Sequence, residues 1–454
     1  MLFNSWAFLA FFPLVVIVYF LLPQRFRNVF LLVVSCLFYM SYIPAYIFIL
    51  FFLIVLDYGL GLLIESSDRD KKKSWMFFSI AANVLALLGF KYFDFFSGRH
   101  ILLPIGLSFH TMQSMSYVIE VSREKQNAER NFLTYALYVM FFPQLIAGPI
   151  ERPQNLLKQF YDVHKFEIKR VLSGIQLMIF GFYKKVVIAD CISALVNPVF
   201  KNPMQSSGTD FVIAAATFSM QIYCDFSGYS DIARGAARVL GFELSQNFTQ
   251  PFGATNIAAL WKRWHITLTS WFRDYVYIPL GGSRTSSLKT FLNIMLVFLL
   301  SGLWHGTGLT YIVWAELNGL AVAFLYFVPR FGWLKLRSTA LGVILTYLYF
   351  SFTLIFFRSS TMDDALYIVS RLFSGGSATV ANTYNIALTI GLIFSLETIH
   401  FVQRNFQSIK SKLADSTWQR WTVYYVFTVL FFVLTFLSVA NQNEMDQPFI
   451  YFQF

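Results

Sequence analysis

The chain has 454 residues, of which 57% are hydrophobic and only 13% are charged. A soluble domain carries about 25% charged residues, and a water-facing fold of this size could not bury 53 phenylalanines and 24 tyrosines. The composition therefore excludes a disordered chain, a coiled coil and a disulfide-bonded secreted scaffold, and it predicts an all-α polytopic membrane protein.

The net charge of +11 comes from 35 lysines and arginines against 24 aspartates and glutamates. The basic residues stand in short clusters between apolar runs, a pattern that is typical of cytoplasmic loops and argues against nucleic-acid binding. The clusters include Arg25 and Arg27, Lys71 to Lys73, Lys165 to Arg170, Arg234 and Arg238, Arg330 to Arg337, and Lys410 and Lys412. Because the three cysteines are isolated, neither a disulfide framework nor a metal site is predicted.

Apolar runs long enough to cross a bilayer recur from end to end. A transmembrane helix needs about 20 apolar residues, and this criterion predicts about 11–12 such helices. The predicted spans lie near 6–22, 28–43, 44–63, 75–95, 101–119, 171–195, 211–230, 291–304, 309–327, 338–357, 385–400 and 421–440.

The run 131–150 is also long enough to span but ends in Phe-Pro-Gln-Leu-Ile-Ala-Gly-Pro. Proline and glycine at that point indicate a broken or re-entrant helix. A re-entrant segment places every basic cluster in the cytoplasm when the N-terminus lies outside. We therefore predict that orientation.

The segment 255–284, TNIAALWKRWHITLTSWFRDYVYIPLGGSR, is predicted to begin with an amphipathic helix along the membrane interface. At helical spacing its aromatic and apolar residues form one stripe, with basic residues between them. The stripe contains Trp261, Trp264, His265, Leu268, Phe272 and Tyr275. The pattern alone favours a buried structural role for His265 over a catalytic one.

His305 lies in the charge-free run 290–315, between two predicted spans. An ionisable residue at membrane depth is costly and is by default a candidate functional residue. The nearby Gly302, Gly306 and Gly308 would let backbone or a thin ligand approach closely. One helical span later, Glu316 and Asn318 could supply a hydrogen-bond partner, and Glu316 could instead form a structural ion pair.

Asp225, in the segment 223–231, could either orient a catalytic histidine or bind an arginine structurally. The remaining histidines are expected to have no catalytic role. His110 is predicted to line a channel or to pack, whereas His100, His164 and His400 stand at loop or span ends and are expected to be solvated or interfacial.

These segments resemble the membrane-bound O-acyltransferase family. The resemblance is carried by WKRWHITLTSWFRDYVYIPLGGSR, SGLWHGTGLTYIVWAELNG, LPIGLSFHTMQSMSYVIEV, FFPQLIAGPIERPQNLLKQF and the C-terminal PFIYFQF. They look like the bacterial branch that contains the membrane subunit of alginate O-acetyltransferase. The resemblance runs from the first span to Phe454 and implies one membrane-embedded domain around a central tunnel. N-terminal helices would occupy 1–130, a catalytic core 131–330 and C-terminal helices 331–454.

By this resemblance, the family's near-invariant histidine corresponds to His305 and its second motif histidine to His265. Both are expected to be catalytic, with His305 as the essential base and His265 as the second residue. Many relatives have a further histidine where this chain has Asn318. A mechanism that needs a third histidine is therefore not expected to apply to this chain. A substrate-binding role is expected for Trp261, Lys262, Arg263, Trp264, Arg273 and Trp304. The three cationic side chains among these would surround a coenzyme A mouth.

The resemblance implies transfer of an acetyl group from cytoplasmic acetyl-CoA to hydroxyl groups of an exported polysaccharide, with no bound cofactor. It also implies a bacterial inner-membrane location and a separate exported SGNH-type acetyltransferase, or another polysaccharide-modifying protein, as partner. Direct transfer and an acyl-histidine intermediate both remain open. The alternatives are D-alanyl transfer to teichoic acid from a carrier protein and, in another class, a polytopic transporter or export scaffold.

Overall fold

The structure is a computed structural model that describes residues 1–97, 104, 106–327, 339–378, 380, 383–405, 432–433, 435–437 and 449. Within these ranges the chain is mostly α-helical and contains no β-strand, which confirms the predicted all-α class. The helices, numbered in chain order, are α1 Trp6–Leu21, α2 Gln24–Met40, α3 Ile47–Ser66, α4 Arg69–Ser97, α5 Leu107–Ser122, α6 Phe132–Met140, α7 Phe142–Leu145, α8 Pro153–Leu156, α9 Ile168–Phe182, α10 Asp190–Lys201, α11 Gly208–Leu240, α12 Ile257–Trp261, α13 Ile266–Phe272, α14 Ser287–His305, α15 Leu309–Phe327, α16 Thr339–Arg358, α17 Met362–Arg371 and α18 Thr383–Arg404.

The described residues include six helices that are long and apolar enough to cross a membrane: Pro44–Ser66, Arg69–Phe93, Ser287–His305, Leu309–Phe327, Thr339–Arg358 and Thr383–Arg404. The shorter α1 is also apolar. Helical segments overlap every predicted span from 6–22 to 385–400. The predicted span 421–440 lies outside the described residues except at 432–433 and 435–437. The protein is a multi-pass membrane protein.

The run 131–150 contains the predicted break. Asn131 caps the N-terminus of α6, and its side chain accepts hydrogen bonds from the backbone N–H groups of Leu133 and Thr134. The helix ends at Met140, and after Phe141 the four-residue α7 follows with Pro143 in its first turn. The Phe142 N–H donates to the Ser35 hydroxyl at 3.0 Å, so α2 satisfies a backbone group that the break leaves without a helical partner.

The predicted amphipathic helix is not one continuous element, and this expectation was wrong. The short α12 ends at Trp261 and α13 begins at Ile266. Between them His265 adopts a left-handed backbone conformation, with φ at 42°, which a continuing helix cannot accommodate. After α13 the chain forms a π-helical turn over Arg273–Tyr277.

The chain forms two compact units, each built from separate stretches of sequence. Unit 1 consists of Met1–Gly181, Tyr229–Asn247 and His265–Val276. Unit 2 consists of Phe182–Gly228, Phe248–Trp264 and Tyr277–Phe454. The candidate residues are therefore divided: His265 and Arg273 belong to unit 1, and the others belong to unit 2.

Candidate active site

His305 is the last residue of α14 and is buried in unit 2. Three aromatic rings surround its imidazole: Trp304 at 4.8 Å, Trp314 at 5.0 Å and Phe357 at 5.4 Å between ring centroids. All three meet the imidazole edge to face. Such an apolar enclosure excludes bulk water from the imidazole.

The glycines beside His305 allow α14 and α15 to pack closely. A Cβ on Gly302 would lie 2.8 Å from the Tyr311 carbonyl oxygen and 2.9 Å from the Ala315 Cβ. A Cβ on Gly306 would overlap the Tyr311 ring. The close approach predicted at these two glycines is thus made by α15 itself, which fixes the end of α14 that carries His305.

Asn318 is fully buried and its side chain joins three helices. Its amide nitrogen donates to the Trp314 carbonyl at 2.8 Å and to the Thr353 hydroxyl at 3.1 Å. Its amide oxygen accepts from the Trp261 indole at 3.3 Å. Asn318 therefore positions the Trp261 indole and makes no hydrogen bond to His305. The half-buried Glu316 has neither a hydrogen bond nor an ion pair within the described part of the chain.

An aromatic cluster connects the surroundings of His305 with the other predicted binding residues of unit 2. Trp314 lies 5.9 Å from Trp261, and Trp261 lies 6.2 Å from Phe350. Phe350 in turn contacts Trp264 at 5.1 Å and Phe252 at 6.2 Å. The structure thus brings Trp261, Trp264 and Trp304 into one apolar cluster with His305.

Of the basic residues predicted to bind substrate, Lys262 and Arg263 follow directly on α12. Lys262 is exposed and Arg263 is half-buried. Arg273 belongs to unit 1, where its side chain is largely exposed and pairs with Asp274 at 2.7 Å. The adjacent Arg152 also pairs with Asp274, at 3.2 Å.

His265 caps α13 rather than lying within a helix. Its Nδ1 accepts a hydrogen bond from the Leu268 N–H at 3.4 Å, and its ring lies nearly parallel to that of Phe109. The side chain is fully buried, and desolvation lowers the pKa of His265 to about 3. A neutral imidazole at pH 7 suits a cap that must accept a hydrogen bond.

Two further side chains, those of Thr267 and Trp271, fix the short helix that His265 caps. The Thr267 hydroxyl donates to the Asn247 side-chain oxygen at 2.6 Å. The Trp271 indole donates to the Met112 carbonyl and to the Ser116 hydroxyl, both at 2.9 Å. These contacts hold α13, and with it His265, within unit 1.

Asp225 binds a lysine, whereas its sequence context suggested a catalytic histidine or an arginine as the partner. The Lys185 ammonium lies 2.6 Å from an Asp225 oxygen and 2.8 Å from an Asp190 oxygen, and all three side chains are buried. Next to this cluster, Lys184 donates to the Ser227 hydroxyl at 2.9 Å. Both lysines lie in a π-helical segment, Tyr183–Ala189, that joins α9 to α10.

Sequence reasoning missed Lys184, Lys185 and Asp190 as members of this cluster. The available signal was their position within the predicted span 171–195, where charged residues are expensive and usually paired.

The other histidines differ partly from expectation. His400 is buried in α18, where its ring contacts the Tyr223 hydroxyl at 3.4 Å and Glu397 at 3.3 Å, so the prediction of a solvated or interfacial position was wrong. His164 is also mostly buried and hydrogen-bonds to the Gln159 carbonyl at 2.8 Å. His110 is buried in α5, and His100 lies outside the described residues.

The chain matches the family model of the membrane-bound O-acyltransferase family over residues 107–357. It is 34% identical to the probable alginate O-acetylase of Pseudomonas aeruginosa, over 83% of this chain and 76% of that protein. It is 32% identical to the peptidoglycan O-acetyltransferase of Helicobacter pylori, over 82% of this chain and 80% of the relative. Identity to the teichoic acid D-alanyltransferase of Streptococcus thermophilus is 26%, over 60% of this chain and 68% of the relative.

An α-helical membrane fold with a histidine enclosed at the end of an apolar helix is compatible with acyl transfer under water-poor conditions. The chain belongs to the membrane-bound O-acyltransferase family, and it is an acyltransferase. The transporter and export-scaffold alternatives receive no support from this assignment.

Proposed function

We propose that the protein transfers an acetyl group from acetyl-CoA in the cytoplasm to the hydroxyl groups of an exported cell-surface polysaccharide. The observation that carries the proposal is the position of His305, buried among three aromatic rings at the end of a candidate membrane span. The relatives with the higher identities are named for O-acetylation of alginate or peptidoglycan, which supports acetyl as the group and a glycan as the acceptor.

His305 serves as the general base of this reaction. Its imidazole removes the proton of the acceptor hydroxyl, and the resulting oxygen nucleophile forms a bond to the thioester carbonyl carbon. The carbon–sulfur bond breaks, and coenzyme A leaves as a thiolate that takes up a proton. Transfer through an acetyl group held on the imidazole would use the same residue as nucleophile.

Trp314 is the group best placed to assist at the carbonyl oxygen. Its indole nitrogen is buried and has no acceptor within the part of the chain that the structure describes. Its ring stands perpendicular to that of His305 at 5.0 Å. A buried N–H donor with no acceptor among the described residues can stabilise the negative charge that develops on the carbonyl oxygen in the transition state.

Location and partners follow from the same proposal. The chain would reside in the bacterial inner membrane with its N-terminus outside. The partner would be a separate exported SGNH-type acetyltransferase or another polysaccharide-modifying protein. Its hydroxyl group would be the immediate acceptor if the acetyl group reaches the polysaccharide in two steps. The protein holds no cofactor of its own in this scheme, because acetyl-CoA is a substrate.

The donor can be tested with the purified, detergent-solubilised full chain and radiolabelled acetyl-CoA. With a hydroxyl acceptor present in the assay, the proposal expects saturable consumption of acetyl-CoA that is lost in His305→Gln. It expects consumption to be retained in His164→Gln, which removes a histidine from unit 1 that is far from α14 in sequence. A protein that neither binds nor consumes acetyl-CoA would contradict the donor assignment.

D-alanyl transfer from a carrier protein is the second candidate. It is supported by the similarity to the teichoic acid D-alanyltransferase of S. thermophilus, at lower identity and over less of the chain. If the protein transfers D-alanine from a loaded carrier protein but does not use acetyl-CoA, D-alanyl transfer becomes the favoured function.

A further inference from the structure

Two arginines from distant parts of the sequence converge on one exposed glycine in unit 2. A Cβ on Gly253 would lie 3.4 Å from Nη1 of Arg263 and 4.0 Å from Nη1 of Arg404. Arg263 follows α12, whereas Arg404 is the last residue of α18. The two guanidinium groups thus border the same small volume above the backbone of Gly253.

This pair of positive charges has no carboxylate partner among the residues that the structure describes. Arg404 donates one hydrogen bond, at 2.9 Å, to the neutral side-chain oxygen of Gln250. Arg263 makes neither an ion pair nor a side-chain hydrogen bond within those residues. Two like charges held this close repel each other unless an anion lies between them, and the adjacent Lys262 adds a third positive charge.

The backbone around Gly253 is shaped by a tight local fold. Gln250 adopts a left-handed conformation with φ at 49°, and a single 3-10 turn, Pro251–Gly253, follows it. The Thr249 N–H donates to the Arg263 carbonyl at 3.0 Å, which ties this turn to the end of α12. The glycine leaves open the space that any side chain at this position would fill between the two guanidinium groups.

We propose that Arg263 and Arg404 form a phosphate-binding site over Gly253. Guanidinium groups bind phosphate oxygens through paired N–H donors, and two of them at one point match a doubly charged phosphate ester. The ligand assignment rests on the proposed function: the phosphate belongs to the nucleotide part of the coenzyme A thioester.

The aromatic cluster of unit 2 supports the choice of a donor whose uncharged, acyl-bearing arm extends from a charged nucleotide. The cluster begins next to the glycine, at Phe252, and continues through Phe350, Trp261 and Trp314 to His305. Each of these ring-to-ring steps measures between 5.0 and 6.2 Å. The same unit therefore carries a charged site for the phosphate and an apolar surface that leads to the proposed base.

The sharpest test introduces an internal anion. Gly253→Asp would place a carboxylate between the two guanidinium groups and occupy the site, whereas Gly253→Asn has nearly the same size without the charge. The backbone φ of Gly253 is not positive, so both side chains are compatible with the local fold. Arg404→Gln removes one guanidinium independently of the glycine.

The measurement is the affinity of coenzyme A for the full chain in nanodiscs of neutral lipid, by isothermal titration calorimetry. Gly253→Asp and Arg404→Gln are each expected to weaken binding on the order of tenfold, because the loss of one charge-assisted hydrogen bond changes an affinity by about that factor. Gly253→Asn fills the same space without a charge and is expected to weaken binding less than Gly253→Asp does, so the difference between the two variants measures the effect of the charge. Binding of coenzyme A involves no acetyl transfer, so a failure of the catalytic proposal is distinguishable from a failure of the site. His164→Gln in unit 1 is expected to keep the wild-type affinity.

A second set of titrations separates a coenzyme A phosphate from a lipid headgroup. Nanodiscs that contain phosphatidylglycerol are expected to leave the effect of Arg404→Gln on coenzyme A binding in place. Equal coenzyme A affinities in wild type, Gly253→Asp and Arg404→Gln would overturn the site. Loss of the Arg404→Gln effect in phosphatidylglycerol would overturn the ligand, because the lipid would then be what the arginines bind.

Discussion

His265 and His305 are both buried, but their positions give them different chemistry. His265 caps a helix through its Nδ1 and accepts a backbone hydrogen bond there. His305 ends a helix and faces the rings of Trp304, Trp314 and Phe357. We therefore assign proton transfer to His305 and the positioning of α13 to His265.

The burial of His265 predicts a pH-dependent stability. Its pKa is about 3 in the folded protein, against about 6.5 when unfolded, so the unfolded chain binds more protons between these values. The stability that neutral His265 contributes is fully present above pH 6.5. As the pH falls below that value, it is lost at up to about 1.4 kcal/mol per pH unit.

This dependence can be measured by thermal unfolding of the detergent-solubilised protein between pH 7.5 and 4.5. His265→Gln is expected to be less stable than the wild type at pH 7.5, because the cap is altered. Its stability is expected to fall less steeply as the pH is lowered. Parallel pH profiles of wild type and variant would show that His265 does not carry this effect.

The buried indole N–H of Trp314 leads to a second prediction at this scale. Trp314→Phe keeps a ring beside His305 but removes the donor, and it is expected to lower kcat by about 10²- to 10³-fold with little change in KM for acetyl-CoA. Phe357→Leu removes a neighbouring ring without removing a donor and serves as the control for packing. An equal loss of kcat in both variants would assign the effect to packing instead.

Sequence reasoning singled out both histidines but could not separate their roles. Placing His265 on an apolar helical stripe depended on a helix that the left-handed conformation of His265 itself interrupts. Helical periodicity describes a regular element and contains no information about such a break. The burial of His400 was missed because it depends on the packing of α18 against Tyr223, which is distant in sequence.

At the scale of elements, the segment from α9 to α10 differs most from its prediction. The sequence indicated one apolar span over 171–195. The structure has instead a π-helical segment that places Lys184 and Lys185 among buried groups. A π-helical turn adds a residue to the helix and redirects side chains, and it occurs frequently at functional sites.

The ion cluster predicts unequal effects of neighbouring lysines. Lys185→Met leaves Asp190 and Asp225 close together without their cation, and it is expected to destabilise the protein by about 3–5 kcal/mol. Lys184→Met is the matched control and is expected to cost less, because its ammonium donates to a neutral hydroxyl.

Unfolding in detergent compares the two variants directly. Adding Asp225→Asn to Lys185→Met is expected to restore part of the lost stability, because it removes one of the two negative charges that Lys185 balances in the wild type. Equal destabilisation by Lys184→Met and Lys185→Met would show that the two carboxylates do not depend on Lys185.

At the scale of the whole molecule, composition and sequence resemblance predicted the class of fold and the family correctly. The length of the apolar runs determines a helical membrane protein, because only helices or closed barrels satisfy backbone groups in lipid. The division into two units, each assembled from separate stretches, could not be predicted. It arises from contacts between segments that are far apart in sequence, and a local pattern of apolar and polar residues contains no information about such contacts.

The distribution of basic clusters predicts an orientation that can be measured in intact cells. In a background without the native cysteines, Tyr42→Cys is expected to react with a membrane-impermeant maleimide, and Asp70→Cys is expected to react only after the membrane is opened. Both positions are exposed, so reactivity reports the side of the membrane. Labelling of Asp70→Cys in intact cells would contradict an external N-terminus.

The central claim is that His305 is the base for acetyl transfer to an exported glycan. The most direct measurement is the acetyl content of the cell-surface polysaccharide in cells that express His305→Ala, compared with wild type and with His164→Gln at equal amounts of membrane-inserted protein. We expect acetylation to be lost in His305→Ala and retained in His164→Gln. Wild-type acetylation in His305→Ala would contradict the claim.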